Sequence, residues 1–163
     1  MELIRLQPDD QRSWQLFPVF EARVRAMINE LCHEFGDQDM FFRELRQRWT
    51  VTPLLAGYWL AVDGEAAVAH LCGWVNESWG RPYLLCFQAE CDRIWESRNV
   101  LPQIYEEAGV WVREINKALR ANKPDCRIID YVEQWTPHSP EQWARALPQL
   151  KQRTVLHVMR FSI

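Results

Sequence analysis

The chain has 163 residues, of which 48% are hydrophobic and 25% charged; this predicts one globular domain over residues 1–163 and excludes a disordered or coiled-coil protein. The net charge of −3 is small and the signs are mixed, so we expect no nucleic-acid partner, because such proteins usually carry a basic face. No apolar run has membrane-spanning length and the five cysteines are odd in number, so we expect a cytoplasmic protein with reduced thiols and no membrane association.

The first third of the sequence predicts a strand and two helices. "ELIRL" alternates as a short strand does, and Asp9 or Asp10 after it can cap a helix that ends at Gly36. Asp39 can cap a second helix, which "TPLLAG" ends. Apolar residues recur at three- and four-residue steps in both helices. They are Phe17, Phe20, Val24, Met27, Ile28, Leu31 and Phe35 in the first helix, and Phe42, Leu45 and Trp49 in the second.

Three strands with polar turns are predicted next. "YWLAV" and "AAVAHLCGWV" flank Asp63-Gly64-Glu65, and Asp-Gly between apolar runs is a strong hairpin signal. "YLLCFQ" follows "NESWGRP", which completes an antiparallel meander. The stretch Ala89–Leu101 is then predicted to be a loop, and it contains no glycine.

The last part of the chain predicts two helices, each followed by a strand. A helix from Pro102 to Ala121 precedes the strand "CRIIDYVEQW", and Ser139 can cap a helix that precedes the final strand "TVLHVMRFSI". The apolar face of the first of these helices consists of Ile104, Ala108, Trp111, Ile115 and Leu119. The predicted order is therefore β1-α1-α2-β2-β3-β4-α3-β5-α4-β6.

This order resembles the GNAT superfamily of acyl-CoA-dependent N-acyltransferases over nearly the whole chain. The resemblance implies an α/β (α+β) fold with a central, mixed and mostly antiparallel sheet flanked by helices. It also implies that acetyl-CoA, as the acyl donor, lies where the fourth strand splays from the fifth. The acceptor would be an amine on a small molecule or a protein.

The family's phosphate loop, Arg/Gln-x-x-Gly-x-Gly/Ala, corresponds here to "AECDRIWESRNVLPQ". In the family its backbone N–H groups bind the CoA pyrophosphate at the start of the third helix, where unpaired donors and the helix dipole favour an anion. This chain has no glycine in the loop, and Glu90, Asp92 and Glu96 add negative charge. The resemblance implies that the pyrophosphate lies near Arg93, Arg98, Asn99 and the N–H of Val100.

An N-acyltransferase needs a base for the acceptor ammonium, and a carboxylate at the end of the fourth strand is suited to that role. Glu90 is the first candidate and Glu133, on the fifth strand, the second. The alternative is that both are solvent-exposed acids at strand ends. The family's usual general acid, a tyrosine on the fourth helix, has no counterpart in "SPEQWARALPQL".

His70 and Cys72 lie two residues apart on one predicted strand and so face the same side, with Cys86 on the neighbouring strand. Zinc accepts such ligands, but the spacing is not that of a zinc motif and no fourth ligand is evident. An inward-facing cysteine and a hydrogen-bonded histidine explain the same residues. We therefore predict no metal site.

Five of the nine tryptophans are of interest, because several of them are predicted in or beside turns: Trp74, Trp79, Trp95, Trp135 and Trp143. A protein partner or a second copy of the chain could cover them, or they could fold back over the open end of the sheet. Two functions follow. One is an acetyltransferase with Glu90 as base; the other is a catalytically inactive interaction or structural module, of a kind that occurs among phage and mobile-element proteins.

Overall fold

The computed structural model describes residues 1–31, 38–78, 81–92, 99–129 and 132–134. In chain order the helices and strands are β1 (Glu2–Arg5), α1 (Gln11–Leu31), α2 (Gln38–Val51), β2 (Ala56–Asp63), β3 (Ala66–Ser78), β4 (Arg81–Cys91), α3 (Val100–Asn122) and β5 (Val132–Gln134). This confirms the predicted order as far as the fifth strand. The predicted helix at Ser139 and the predicted final strand lie outside the described residues. None of the described helices has the length and apolarity needed to cross a membrane.

The strands form one sheet in the order β1-β2-β3-β4-β5. The first four strands pair antiparallel with their neighbours, and β5 pairs parallel to β4. The hairpin between β2 and β3 turns at Gly64, whose φ of +62° is a conformation that favours glycine. The sheet is therefore mixed and mostly antiparallel, as predicted.

Each face of the sheet carries its own hydrophobic core. On one face, α1 and α2 pack against β2 and β3, and Trp49 donates its indole N–H to the carbonyl of Leu6. On the other face, α3 packs against the same two strands and β4, with the ring of Trp111 5.3 Å from that of Trp59. The central strands are therefore buried on both sides, which explains why β2 is almost continuously apolar.

The ends of two helices differ in detail from the sequence prediction. Asp10, and not Asp9, caps α1, because its carboxylate accepts the backbone N–H groups of Arg12 and Ser13. Asp39 lies within the first turn of α2 and does not precede it. A carboxylate in a first turn still interacts favourably with the helix dipole.

The predicted loop from Ala89 to Leu101 was wrong at its start, because β4 continues to Cys91. Ala89 pairs with Leu71 and Glu90 with His70, and Ala89 is small enough to be buried against α3. Only one face of the strand is apolar here, so hydrophobic periodicity alone ends the strand too early. The consequence is that Glu90 lies within the sheet.

The fifth strand was predicted to start at Cys126, but the described strand starts at Val132. The side-chain amide of Asn116, on α3, donates to the carbonyl of Ile129 at 2.7 Å and accepts its N–H at 2.8 Å. Because the Asn116 amide bonds both the N–H and the C=O of Ile129, the backbone of Ile129 needs no neighbouring strand.

Trp74 lies on β3 and is buried against Phe41 and beneath the guanidinium of Arg48. It therefore belongs to the core and not to an exposed tryptophan surface. Trp79, Trp95, Trp135 and Trp143 lie outside the described residues.

Candidate functional site

Two β-bulges shape the sheet where the predicted base lies. In β4, Cys86 pairs with Gly73 and Gln88 with Cys72, so Phe87 is an extra residue. In β3, Val68 is extra between the residues that pair with Ala61 and Val62. Bulges are frequent next to functional sites because they change the direction of nearby groups.

The bulge in β3 supplies two carbonyl groups to this region. The carbonyl of Val68 accepts the backbone N–H of Asp92 at 2.9 Å, which ties the residue after β4 to β3. The carbonyl of Ala67 accepts Nη1 of Arg23, on α1, at 2.6 Å. The irregular stretch of β3 therefore connects α1 and the end of β4.

Arg23 links the groups around this bulge. Its Nη2 donates to Oδ1 of Asp92 at 2.8 Å, and its Nε makes a long hydrogen bond of 3.4 Å to Nδ1 of His70. Only 18% of its side chain is exposed. A mostly buried guanidinium is stable where carboxylates and carbonyls satisfy its donors, as they do here.

Glu90, the first predicted base, lies beside this arginine. Its Oε2 is 3.7 Å from Nη2 of Arg23 and 3.8 Å from Nδ1 of His70. The side chain is 38% exposed, so it is accessible to a molecule from solvent while in contact with a fixed cation. Because cross-strand partners share a face of a sheet, Glu90 and His70 both lie on the α1 side.

His70 is completely buried, with the ring of Phe20 edge-on at 6.1 Å. A guanidinium has only donors, so Nδ1 of His70 must accept the hydrogen bond from Arg23. With Nδ1 as the acceptor, the ring proton is assigned to Nε2. This is the hydrogen-bonded histidine that the sequence interpretation favoured over a metal ligand.

Cys72 is also completely buried, on the α1 and α2 side of the sheet. Within the described part of the chain, no three histidine, cysteine or acidic side chains form a group that could hold a metal ion.

Glu133, the second predicted base, is on β5 and pairs with Leu85. Leu85 precedes Glu90 by five positions on β4, but one of these is the bulge residue Phe87, so the two lie four ladder positions apart, about 13 Å along a strand. The fold therefore places the backbones of the two predicted bases on separate parts of the sheet.

The start of α3 has the residues that the resemblance placed at a pyrophosphate. Asn99 precedes the helix in the left-handed conformation (φ 55°, ψ 35°), and its side chain makes no capping hydrogen bond. Val100 is the first helical residue and is buried. The first N–H groups of a helix have no partner within it, and such an end can donate to an anion. Arg93 and Arg98 lie outside the described residues.

The sequence did not identify Arg23 as part of the site. One feature of the sequence could have identified it: Arg23 lies on α1 between the core residues Phe20 and Val24. A cation at the edge of a buried face needs a partner. Asp92 was interpreted only as a negative charge in a loop. Its pairing with Arg23 spans 69 positions of sequence and has no local signal.

Comparison with known proteins gives the same architecture. No protein-family model matches the sequence, and no curated protein matches it either. Solved structures do match in shape. An aminoglycoside 6'-N-acetyltransferase from Acinetobacter haemolyticus has a TM-score of 0.56 at 15% identity, with 100% of both chains covered.

Two further solved structures have different acceptors in their names. Glucosamine-6-phosphate N-acetyltransferase from Arabidopsis thaliana has a TM-score of 0.58 at 9% identity, covering 99% of this chain and 98% of its own. Ribosomal-protein-alanine N-acetyltransferase from Brucella melitensis biovar Abortus 2308 has a TM-score of 0.56 at 9% identity, covering 99% of each chain. These structural neighbours are acetyltransferases, and the TM-scores, at identities of 9–15%, show a shared fold and no more. The chain therefore has a GNAT-like fold.

Proposed function

We propose that the protein is an acetyl-CoA-dependent N-acetyltransferase in which Glu90 is the general base. The observation that supports this most directly is the position of Glu90: partly exposed, on β4, on the side of the sheet that α1 covers, and 3.7 Å from Arg23. A nearby cation favours the ionised carboxylate, which is the form that accepts a proton. The acetyltransferase neighbours support the reaction class.

The chemistry assigned to the chain's own residues is proton transfer. Acetyl-CoA, when bound, supplies an acetyl group as a thioester. Glu90 takes a proton from the acceptor ammonium, directly or through one water, so that the nitrogen lone pair can form a bond with the acetyl carbon. The C–S bond then breaks, the nitrogen gives up its second proton to the departing thiolate, and CoA leaves as a thiol. A positioned base of this kind contributes about 10²- to 10⁴-fold in rate.

For the acetyl-CoA site we propose the start of α3 and the neighbouring edge of β4. The N–H groups of Asn99, Val100 and Leu101 would face the pyrophosphate, with Arg93 and Arg98 as additional cations. Pro102 removes one donor from the first turn but costs the helix no internal bond.

Calorimetric titration with acetyl-CoA tests the proposed binding site. We expect the wild-type protein to bind and the Arg93→Glu/Arg98→Glu variant to bind at least about tenfold more weakly, a change of ~1.4 kcal/mol. Arg113→Glu/Arg120→Glu is the matched control, because both arginines are exposed on α3 and away from its start. Equal weakening in the two variants would contradict a local phosphate site.

Release of the CoA thiol with a panel of amines tests the base. We expect Glu90→Gln to lower kcat by about 10²- to 10⁴-fold, because an amide cannot accept the proton, and to leave acetyl-CoA binding unchanged. Glu77→Gln is the control, since Glu77 is an exposed acid at the far end of β3. A Glu90→Gln variant as active as the control would remove Glu90 from the mechanism.

A folded wild-type protein that gives no heat with millimolar acetyl-CoA would overturn the enzyme proposal. The inactive interaction or structural module would then replace it, and the exposed apolar residues Val51, Leu54 and Leu55 would be the first surface to examine for a partner. We also propose a cytoplasmic location, which is supported by Cys72, Cys91 and Cys126 forming no disulfide.

A further inference from the structure

Arg23 is fixed from three directions, although it lies in the middle of a helix. Ala67 and Asp92 accept from its two terminal nitrogens at 2.6 and 2.8 Å, and His70 lies at 3.4 Å from Nε. Donors on a guanidinium lie in one plane. Bonds at both terminal nitrogens and at Nε therefore fix the position of the charge and the tilt of the plane.

The distances to the two carboxylates differ, and the difference matters for the chemistry. Asp92 makes the short bond to Nη2, at 2.8 Å, whereas Glu90 approaches the same nitrogen at 3.7 Å. A base that made the short, charge-assisted bond itself would be a poorer proton acceptor. Asp92 therefore occupies the strong bonding position, and Glu90 is near a positive charge without being bound tightly to it.

His70 adds to this arrangement by its protonation state. While Nδ1 accepts from Arg23, it cannot also donate to Glu90, 3.8 Å away. If Arg23 were absent, Nδ1 could take a proton and donate it to the carboxylate. The guanidinium therefore keeps Nδ1 of His70 from donating to Glu90.

We propose that Arg23 is a positioning residue for Glu90, held by Asp92, Ala67 and His70 so that the carboxylate is oriented beside a fixed positive charge on the α1 side of the sheet. This inference rests on the proposed acetyltransferase function. An arginine is suited to the role because it keeps its proton at every physiological pH. The fixed charge is on α1, while the base is on β4, so the role depends on the packing of these two elements.

Turnover of Arg23→Met, Arg23→Lys and Arg25→Met tests the proposal. Arg25 is the matched control, because it lies on the same helix and also pairs with a glutamate, Glu21, at 3.7 Å. We expect Arg23→Met to lower kcat by about 10- to 100-fold, the range for a misplaced catalytic group, and to leave the KM for acetyl-CoA unchanged. Arg23→Lys should restore part of the loss, and Arg25→Met should match the wild type.

The ¹⁵N chemical shifts of the His70 ring provide a readout that does not need turnover. We expect the wild-type protein to show a neutral ring protonated on Nε2, and Arg23→Met to change the Nδ1 shift; His70→Gln assigns the signal. If Arg23→Met does not fold, Asp92→Asn releases the guanidinium instead and should show the same loss of kcat. Unchanged kcat in the folded variant, or an unchanged Nδ1 shift, would overturn the positioning role.

The two proposals fail in different ways. An active wild-type enzyme with an equally active Arg23→Met variant overturns the role of Arg23 and leaves the acetyltransferase proposal intact. A wild-type protein that neither binds acetyl-CoA nor turns over overturns the proposed function, and the role in positioning the base with it.

Discussion

Single residues fix where the first helix begins. Oδ2 of Asp10 accepts from the backbone N–H of Ser13 at 2.9 Å and from its hydroxyl at 2.7 Å, while the Ser13 hydroxyl oxygen accepts the N–H of Gln7 at 3.0 Å. Ser13 is completely buried. Because the three residues share one network, the cap also fixes the chain between β1 and α1, the helix that carries Arg23.

The Asp10 cap predicts a dependence of stability on pH. Hydrogen bonds from the Ser13 hydroxyl, and then from backbone N–H groups, lower the pKa of Asp10. A carboxyl group whose pKa is lowered by folding stabilises the fold fully at pH values above its pKa in the unfolded chain, near 3.9. That stabilisation is lost as the pH falls through the pKa of the group in the folded protein.

We therefore expect Asp10→Asn to lower the thermal midpoint by a few degrees at pH 7 and by less below about pH 3. Thermal unfolding followed by circular dichroism across this pH range is the measurement. Asp9→Asn, at the neighbouring exposed acid outside the network, is the control. A difference between wild type and Asp10→Asn that stayed constant with pH would argue against the charged cap.

At the scale of elements, β2 and α3 are packed too closely for a side chain at Gly57. A Cβ at this position would lie 2.5 Å from the ring of Trp59 and 2.8 Å from that of Trp111. The two rings are large and buried, so neither can move without disturbing the core on that face. The close approach of the strand to the helix therefore requires glycine.

Two glycine-to-alanine substitutions should consequently have opposite effects. Gly57→Ala should lower the free energy of unfolding by about 1–3 kcal/mol through overpacking. A Cβ at Gly109, inside α3, would meet only the end of the Arg113 side chain, at 3.5 Å. Gly109→Ala should therefore raise the free energy of unfolding by about 0.5–1 kcal/mol, because alanine favours a helix. Urea unfolding measures both, and a neutral Gly57→Ala would show that the rings repack.

At the scale of the whole molecule, the sheet is shared by two cores, one under α1 and α2 and the other under α3. Strands β2 and β3 contribute to both, so loss of either core exposes the same strands. We propose on this ground that residues 1–163 form one domain and unfold as one cooperative unit.

Substitutions on the two faces test that cooperativity. Leu45→Ala on α2 and Ile104→Ala on α3 remove side chains that are fully buried, and each should cost about 2–5 kcal/mol. Tryptophan fluorescence and far-ultraviolet circular dichroism should report one common transition in both variants. Separate transitions in either variant would indicate that the faces unfold independently.

The order of helices and strands could be predicted from the sequence because it depends on periodicity, which is local, whereas the mixed sheet was implied by the family resemblance. The helical face of Phe20, Val24 and Ile28 is marked by residues three or four positions apart. The hairpin is marked by the adjacent residues Asp63 and Gly64. The site could be predicted only in part. Glu90 was identified by type and position, but its partners Arg23 and Asp92 come from distant segments, so their pairing depends on the packing of α1 on the sheet.

The extra residue in β4, Phe87, has a consequence for how this chain compares with others. Without the bulge, Phe87 would pair with Cys72, and Glu90 would pair with Ala69, which belongs to the core under α3. In the observed ladder Glu90 pairs instead with His70, one position along β3, and so lies on the opposite face of the sheet. A strand without the bulge therefore aligns with β4 only if a one-residue gap is opened inside the strand, where gaps are least expected. Comparison of shapes is insensitive to that gap and residue-by-residue matching is not, so a bulge of this kind lowers the apparent sequence similarity between chains whose strands superimpose.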